Sequence, residues 1–168
     1  MKRLLLLRHA KAEPREGSVE DIPRALVDAG REDCEKLGSL LETLGLRPDL
    51  VLTSVASRAK ETASLVVREL AKSPPVRVSL SLYADDARGY LRAASGAPEE
   101  CSCLLVVGHN PAIEELASIL AGRRVELRTC WLAELSLDVE TWKGLLRKPR
   151  PRLERLLSPL GEQPLPRA

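Results

Sequence analysis

Four short apolar stretches punctuate the chain: Leu4 to Leu7, Leu50-Val51-Leu52, the alternating Val76, Val78, Leu80 and Leu82, and Leu104 to Val107. Runs this short with polar ends read as strands, and the unbroken ones as strands buried on both faces of a parallel sheet. Between them the apolar spacing becomes helical. Gly30 to Leu44 places Cys34, Leu37, Leu40, Leu41 and Leu44 on one face, with Asp28 as the expected N-cap and Gly45 as the stop. Ser54 is expected to cap a second helix reaching about Lys72, whose stripe is Ala59, Ala63, Val66, Val67 and Leu70. A modest helix is predicted around Arg88 to Ala94, and another from Pro111 to Leu120, closed by the turn Gly122-Arg123-Arg124.

The connecting segments have their own signals. Lys11 to Asp28 contains Pro14, Gly17 and Pro23 without a sustained period, so it reads as a loop over the carboxyl edge of the first strand. Trp131 to Leu137 and Thr141 to Leu146 read as a final hairpin at the sheet edge. From residue 147 to 168 the chain is Pro-rich and basic, with one apolar cluster of Leu153, Leu156 and Leu157. That stretch is expected to be a tail packed on a domain spanning residues 1–146. Alternating strands and helices predict an α/β protein, a three-layer α/β/α sandwich with a mainly parallel central sheet and an antiparallel edge strand.

Composition narrows the picture. A length of 168 residues favours one domain with a substantial core, and with two Trp, two Tyr and no Phe that core must be built from Leu, Val, Ala and Ile. A net charge of +2 argues against a dedicated nucleic-acid surface. The N-terminal apolar run is too short for a signal-peptide core or a membrane span, so neither nucleic acid nor membrane is expected as a partner and the location is expected to be cytoplasmic. Cys34, Cys101, Cys103 and Cys130 lack both the CxxC spacing of a zinc site and the density of a disulfide scaffold. They read as free, mostly buried thiols.

The candidate chemistry lies at strand ends. The chain has two histidines, and each follows a buried strand: His9 after Leu4 to Leu7, His109 after Leu104 to Val107. In open α/β sheets ligands bind outside the carboxyl ends of the strands, so both rings should open onto one edge together with Arg8 and Arg58. Any one of these residues alone reads equally as a solvated strand or helix end; the set reads as a site. Two guanidiniums and two imidazoles without a matching set of carboxylates suit a dianionic phosphoryl group, and make a poor transition-metal site. The helix starts after Ser54 and Asn110 would add donors, which makes those two residues candidates for substrate binding. No metal or cofactor is implied.

Three motifs in order, Arg8-His9-Ala10-Lys11, Thr53 through Arg58 to Ala63, and Gly108-His109-Asn110-Pro111, resemble the histidine phosphatase superfamily with its phosphoglycerate mutase-like fold. The resemblance covers residues 2 to 146 and is greatest to the small SixA-type phosphohistidine phosphatases. It implies that His9 is a nucleophile that becomes phosphorylated, that Arg8 and Arg58 clamp the phosphoryl oxygens, and that His109 donates to them. Many members carry a glutamate general acid in a longer insertion after the third strand. Here that region is short, and Asp85 and Asp86 read either as such an acid or as a helix-start pair; Glu13 is a further candidate. Asp21 and Arg24 resemble a pair in the family's first loop and read as loop-fixing. The implied activity is that of a metal-independent phosphatase working through a phosphohistidine intermediate, with phosphohistidine on a signalling protein as substrate. A small phosphate ester is the alternative substrate, and a non-catalytic phosphate-binding module the alternative function.

Overall fold

Leu4, Leu5, Leu6 and Leu7 are all fully buried in the computed structural model, and they point alternately into two different cores. Burying each leucine contributes about 1.5–3 kcal/mol, so this one strand anchors a layer on either side of itself. It is β1 (Lys2–Arg8), fourth in a seven-stranded sheet. The strand order is β3 (Val76–Ser79), β2 (Leu50–Ser54), β4 (Cys103–Gly108), β1, β5 (Leu132–Leu137), β6 (Pro151–Ser158) and β7 (Gly161–Gln163). Strands β3, β2, β4 and β1 are parallel, while β5, β6 and β7 each run antiparallel to their neighbour. The structure describes residues 1–16, 20–147 and 151–167; Gly17 of the first loop and residues 148–150 of the expected tail lie outside them.

Helices α1 (Asp28–Thr43) and α2 (Ser57–Arg68) cover the face that carries Leu5, Leu7, Val51, Leu105 and Val107. The opposite face carries Leu4, Leu6, Leu104 and Val106. It is covered by the short α3 (Ser81–Ala84), by α4 (Ala87–Ser95), by α5 (Ala112–Ala121) and by a 3-10 turn at Trp142–Leu146. This is the three-layer α/β/α sandwich expected from the alternation, with three antiparallel strands where one was expected. All four cysteines are free and buried. Among the described residues no helix is long and apolar enough to cross a membrane.

The C-terminal third departs from the sequence expectation. Thr141 to Leu146 is not a strand: the chain turns there to bury Trp142 and Leu145 in the core, and the indole N–H donates to the Cys101 carbonyl at 2.7 Å. The partner of β5 is instead β6, drawn from the stretch expected to be a tail, so residues 151–163 belong to the sheet itself. A bulge explains why the strand was hidden. Between Glu134 and Leu135 the register shifts, Glu134 facing Arg155 and Leu135 facing Leu153, so β6 carries an extra residue. Leu153 and Leu156 thereby reach the same core although an odd number of positions separates them, which breaks the period-two signature of a strand.

Smaller corrections have similar causes. Leu80 and Leu82 do not extend β3, because the Leu80 carbonyl accepts from Tyr83 and Ala84 and opens α3. The N-cap of α1 is Val27, while Asp28 sits inside the first turn and pairs with Arg31 at 2.9 Å. Ser54 does not cap α2, which starts at Ser57 after Ala56 and ends at Arg68.

Candidate active site

Strand register brings the two histidines together. Arg8 stands opposite Gly108 across the β1–β4 ladder, and the His9 N–H donates to the Gly108 carbonyl at 3.0 Å. His9 and His109 therefore leave adjacent strands side by side, with ring centroids 5.1 Å apart. Thr53 pairs with Val107, which puts Ser54 level with Gly108 on the next strand. A side chain at position 108 would not fit: a Cβ there would lie 2.3 Å from the Tyr90 hydroxyl. That hydroxyl accepts the His109 N–H at 3.0 Å and donates to the Leu82 carbonyl, fixing the backbone from which His109 projects.

The hydrogen bonds of His9 decide which nitrogen is free. Nδ1 lies 2.7 Å from the Ala10 carbonyl, which can only accept, so Nδ1 carries the proton and Nε2 of the neutral ring presents a lone pair. Burial, reinforced by the charges of Arg58, Arg8 and Arg24 and opposed by the Ala10 carbonyl, lowers His9 to about 4. The ring is neutral at pH 7. Burial lowers His109 to about 3, with further contributions from His9 and Arg58. Its Nε2 lies 2.7 Å from Ser54 Oγ, which also accepts the Ala56 N–H at 3.2 Å. The Tyr83 ring meets His109 edge-on at 5.7 Å.

The two guanidiniums are held differently. Arg58 is 5% exposed and donates from Nη1 to the Asp21 carbonyl and from Nη2 to the Asp21 carboxylate, both at 2.9 Å. Arg24 and Tyr83 donate to the same carboxylate, at 2.8 Å from Arg24 Nη2 and 3.0 Å from the phenol. Burial opposes ionisation of Asp21, but these three donors outweigh it and hold the carboxyl well below the usual range. Among the described residues Arg8 makes no salt bridge to a carboxylate. Its Nη1 donates to the Leu127 carbonyl at 3.1 Å, and burial lowers its pKa while Glu114 acts the other way. Thr62 fastens α2 to the loop that follows His9, accepting the Ala10 N–H at 3.0 Å and donating to the Arg58 carbonyl at 2.7 Å.

Three polar nitrogens remain. Arg8 Nε, Arg58 Nε and His109 Nδ1 are buried and make no hydrogen bond within the described protein. With the charges of Arg8 and Arg58 acting on His9, these nitrogens are donors suited to a phosphoryl group beside the His9 ring. Among the described residues no three of His, Cys, Asp or Glu cluster as a metal site would require.

Not every candidate joins this group. Asn110 gives its amide to Glu114 and to the Leu127 carbonyl, both at 3.0 Å, leaving its oxygen, an acceptor that repels an anion. Ser54 Oγ is engaged with His109 Nε2 and the Ala56 N–H, so its contacts in the structure orient the ring. Asp86 caps α4, accepting from Arg88 and Gly89 at 3.0 and 3.1 Å. Asp85 is exposed and pairs with Arg92 at 3.6 Å; Glu13 is exposed and enters the loop through its backbone. Tyr83, Tyr90, Thr62 and Glu114 escaped the sequence reading as site residues. Thr62 lay within a quoted motif, and Glu114 stands four residues after Asn110 in the first turn of α5, but neither position announces its partner.

Residues 4–82 match the family model of the histidine phosphatase superfamily (branch 1). An uncharacterized chloroplastic protein of Arabidopsis thaliana is 30% identical over 170 residues, covering 94% of this chain and 78% of that protein. Among solved structures, the candidate phosphohistidine phosphatase SixA of Agrobacterium tumefaciens is 27% identical with a TM-score of 0.79, covering 93% of this chain and 97% of that one. Its counterpart from Nakamurella multipartitia is 24% identical with a TM-score of 0.80, covering 92% and 94%. The fold is thus the phosphoglycerate mutase-like one expected from the motifs.

Proposed function

The chain belongs to the histidine phosphatase superfamily, and from that membership we propose that it is a metal-independent phosphatase that removes the phosphoryl group from phosphohistidine on a protein. The observation that carries this reading is the pairing of a neutral His9, whose Nε2 is free, with three buried nitrogens that hold no partner within the described protein. The likeness to the SixA protein of Agrobacterium tumefaciens supports the substrate class.

In the first step His9 Nε2 attacks phosphorus and the bond from phosphorus to the departing imidazole breaks, leaving phospho-His9. Arg8 and Arg58 neutralise the phosphoryl oxygens, and His109 donates from Nδ1 once Ser54 Oγ–H occupies its Nε2. In the second step water attacks phosphorus, the bond from phosphorus to His9 Nε2 breaks, the proton of the water leaves with inorganic phosphate, and the ring keeps the Nδ1–H that the Ala10 carbonyl accepts.

The leaving group favours phosphohistidine. An alkoxide is strongly basic and needs an acid as it departs, whereas imidazole, with a pKa of about 6.5, leaves readily once protonated. Asp21 is held ionised by its three donors, Asp86 is a cap, Asp85 pairs with Arg92 and Glu13 is exposed, so among these candidate carboxyls of the described residues none is poised to give a proton. A general acid is worth roughly 10² to 10⁴ in rate, so a phosphohistidine protein should exceed an alkyl phosphate in kcat/KM by decades. The test measures both substrates at neutral pH, with and without EDTA, and traps acid-labile phosphate on the enzyme. Preference for the alkyl ester, loss of activity in EDTA, or full turnover by His9→Ala would each overturn the reading.

A further inference from the structure

The Arg8 guanidinium is gripped by a backbone carbonyl in a segment that must itself be held. After α5 the chain turns at Gly122 and runs back beside that helix, and two α5 side chains fasten this return. Ser118 Oγ accepts the Val125 N–H at 3.0 Å. One turn nearer the site, Glu114 Oε2 accepts the Leu127 N–H at 2.8 Å and the Asn110 amide at 3.0 Å. The Asn110 amide also donates to the Leu127 carbonyl at 3.0 Å, and that is the oxygen receiving Arg8 Nη1. Leu127 is thus held at its N–H by a carboxylate and at its carbonyl by an amide and a guanidinium.

We infer that Glu114 is a positioning residue for Arg8, acting through the Leu127 peptide and Asn110. The inference rests on the reading that Arg8 grips the phosphoryl group. By occupying Nη1 on a fixed carbonyl, the relay sets the rotation of the guanidinium plane and leaves its other donors for phosphoryl oxygens. Glu114 also places negative charge toward Arg8 while its Oε2 is bonded to the Leu127 N–H and the Asn110 amide, not to the guanidinium. Ser118 fastens the same segment but does not touch Leu127 or Arg8, so it separates positioning from simple anchoring.

The experiment measures binding of orthovanadate by calorimetry and KM for a phosphohistidine peptide in the full chain. Glu114→Ala should weaken orthovanadate about tenfold, the loss of a hydrogen bond in a charged network, and raise KM in parallel. Glu114→Gln should recover most of that loss, because its amide oxygen still accepts from Leu127. Asn110→Ala, which leaves the helix anchor intact, should give a smaller loss of the same kind, and Ser118→Ala should lower Tm without changing orthovanadate affinity. In an Arg8→Ala background Glu114→Ala should have no further effect. Wild-type orthovanadate affinity in both Glu114→Ala and Asn110→Ala, or an equal loss with and without Arg8, would overturn the relay alone. Wild-type affinity in Arg8→Ala would remove the reading on which it rests.

Discussion

Arg58 and Arg8 both place their charge on His9, yet the protein holds them by different means. Arg58 is locked by a direct ion pair in which one carboxylate, Asp21, also collects Arg24 and Tyr83. Arg8 rests on the neutral Leu127 carbonyl, and the carboxylate that acts on it, Glu114, is joined to it through the Leu127 peptide. The direct arrangement gives stability and fixes a loop at the cost of neutralising part of the Arg58 charge. The relayed arrangement leaves the Arg8 charge less offset. Both guanidiniums nonetheless contribute to keeping His9 neutral. Fixing a cation and neutralising it are separable tasks, and this site divides them between its two arginines.

The largest expected effect tests that division. Arg58→Ala and Arg8→Ala should each lower kcat/KM by about 10² to 10³, the range for losing one donor that stabilises transition-state charge. Their effects on stability should differ. Arg58→Ala takes one of three donors from the Asp21 carboxylate, which keeps Arg24 and Tyr83, and should cost about 2–3 kcal/mol, less than the roughly 3–5 kcal/mol for leaving a buried charge unpaired. Arg8→Ala gives up a bond to a neutral carbonyl and should cost about 1 kcal/mol or less. Kinetics with thermal melts of both variants check this; equal losses of Tm would erase the asymmetry.

What could be read beforehand follows the same line between local and tertiary causes. His9 and His109 were legible because each ends a strand whose apolar run is unmistakable, and the register of Arg8 opposite Gly108 then follows from two adjacent parallel strands. Arg58 was legible as the first-turn residue of an amphipathic helix. Tyr83 and Glu114 were not, because their roles depend on contacts to Asp21, 62 positions away, and to Leu127, 13 positions away, that no period encodes. Strand β6 was hidden by its bulge. Leu80 misled because its alternation with Val76 and Val78 belongs to an exposed edge, where Val78 is 55% exposed, and not to a buried strand.

A middle-sized effect is expected at Asp21. Asp21→Asn keeps a side chain that can accept one bond but removes the charge facing Arg58 and Arg24, and should lower kcat/KM about tenfold. Its stability should depend on pH in a definite direction. The Asp21 carboxyl is held below its unfolded value of about 3.9, so its contribution is complete above about pH 4 and is lost as pH falls through the folded value. The Tm gap between wild type and Asp21→Asn should therefore be constant from pH 5 to 8 and close in stronger acid. His9 and His109, lowered to about 4 and about 3, act over a different window: both proteins should lose stability as pH falls below about 6.5, and lose it equally. A gap that closes near pH 6 would mean that Asp21 titrates with the histidines and is not held ionised by Arg58.

The smallest expected effect is the sharpest on the comparison. Tyr83→Phe preserves the ring that meets His109 edge-on and deletes one of three donors to Asp21, a change of about 0.5–1.5 kcal/mol. Orthovanadate affinity should fall about threefold, and Tm should drop by only a few degrees, at about 2–4 °C per kcal/mol for a chain of this size. Coupling distinguishes the route of this effect, because residues in one network are non-additive whereas independent ones add. If the phenol acts through Asp21 on Arg58, Tyr83→Phe should add almost nothing in an Arg58→Ala background and its full threefold in an Arg8→Ala background. The reverse pattern would place Tyr83 with the Arg8 half, and equal additivity in both would mean that the phenol acts through neither arginine.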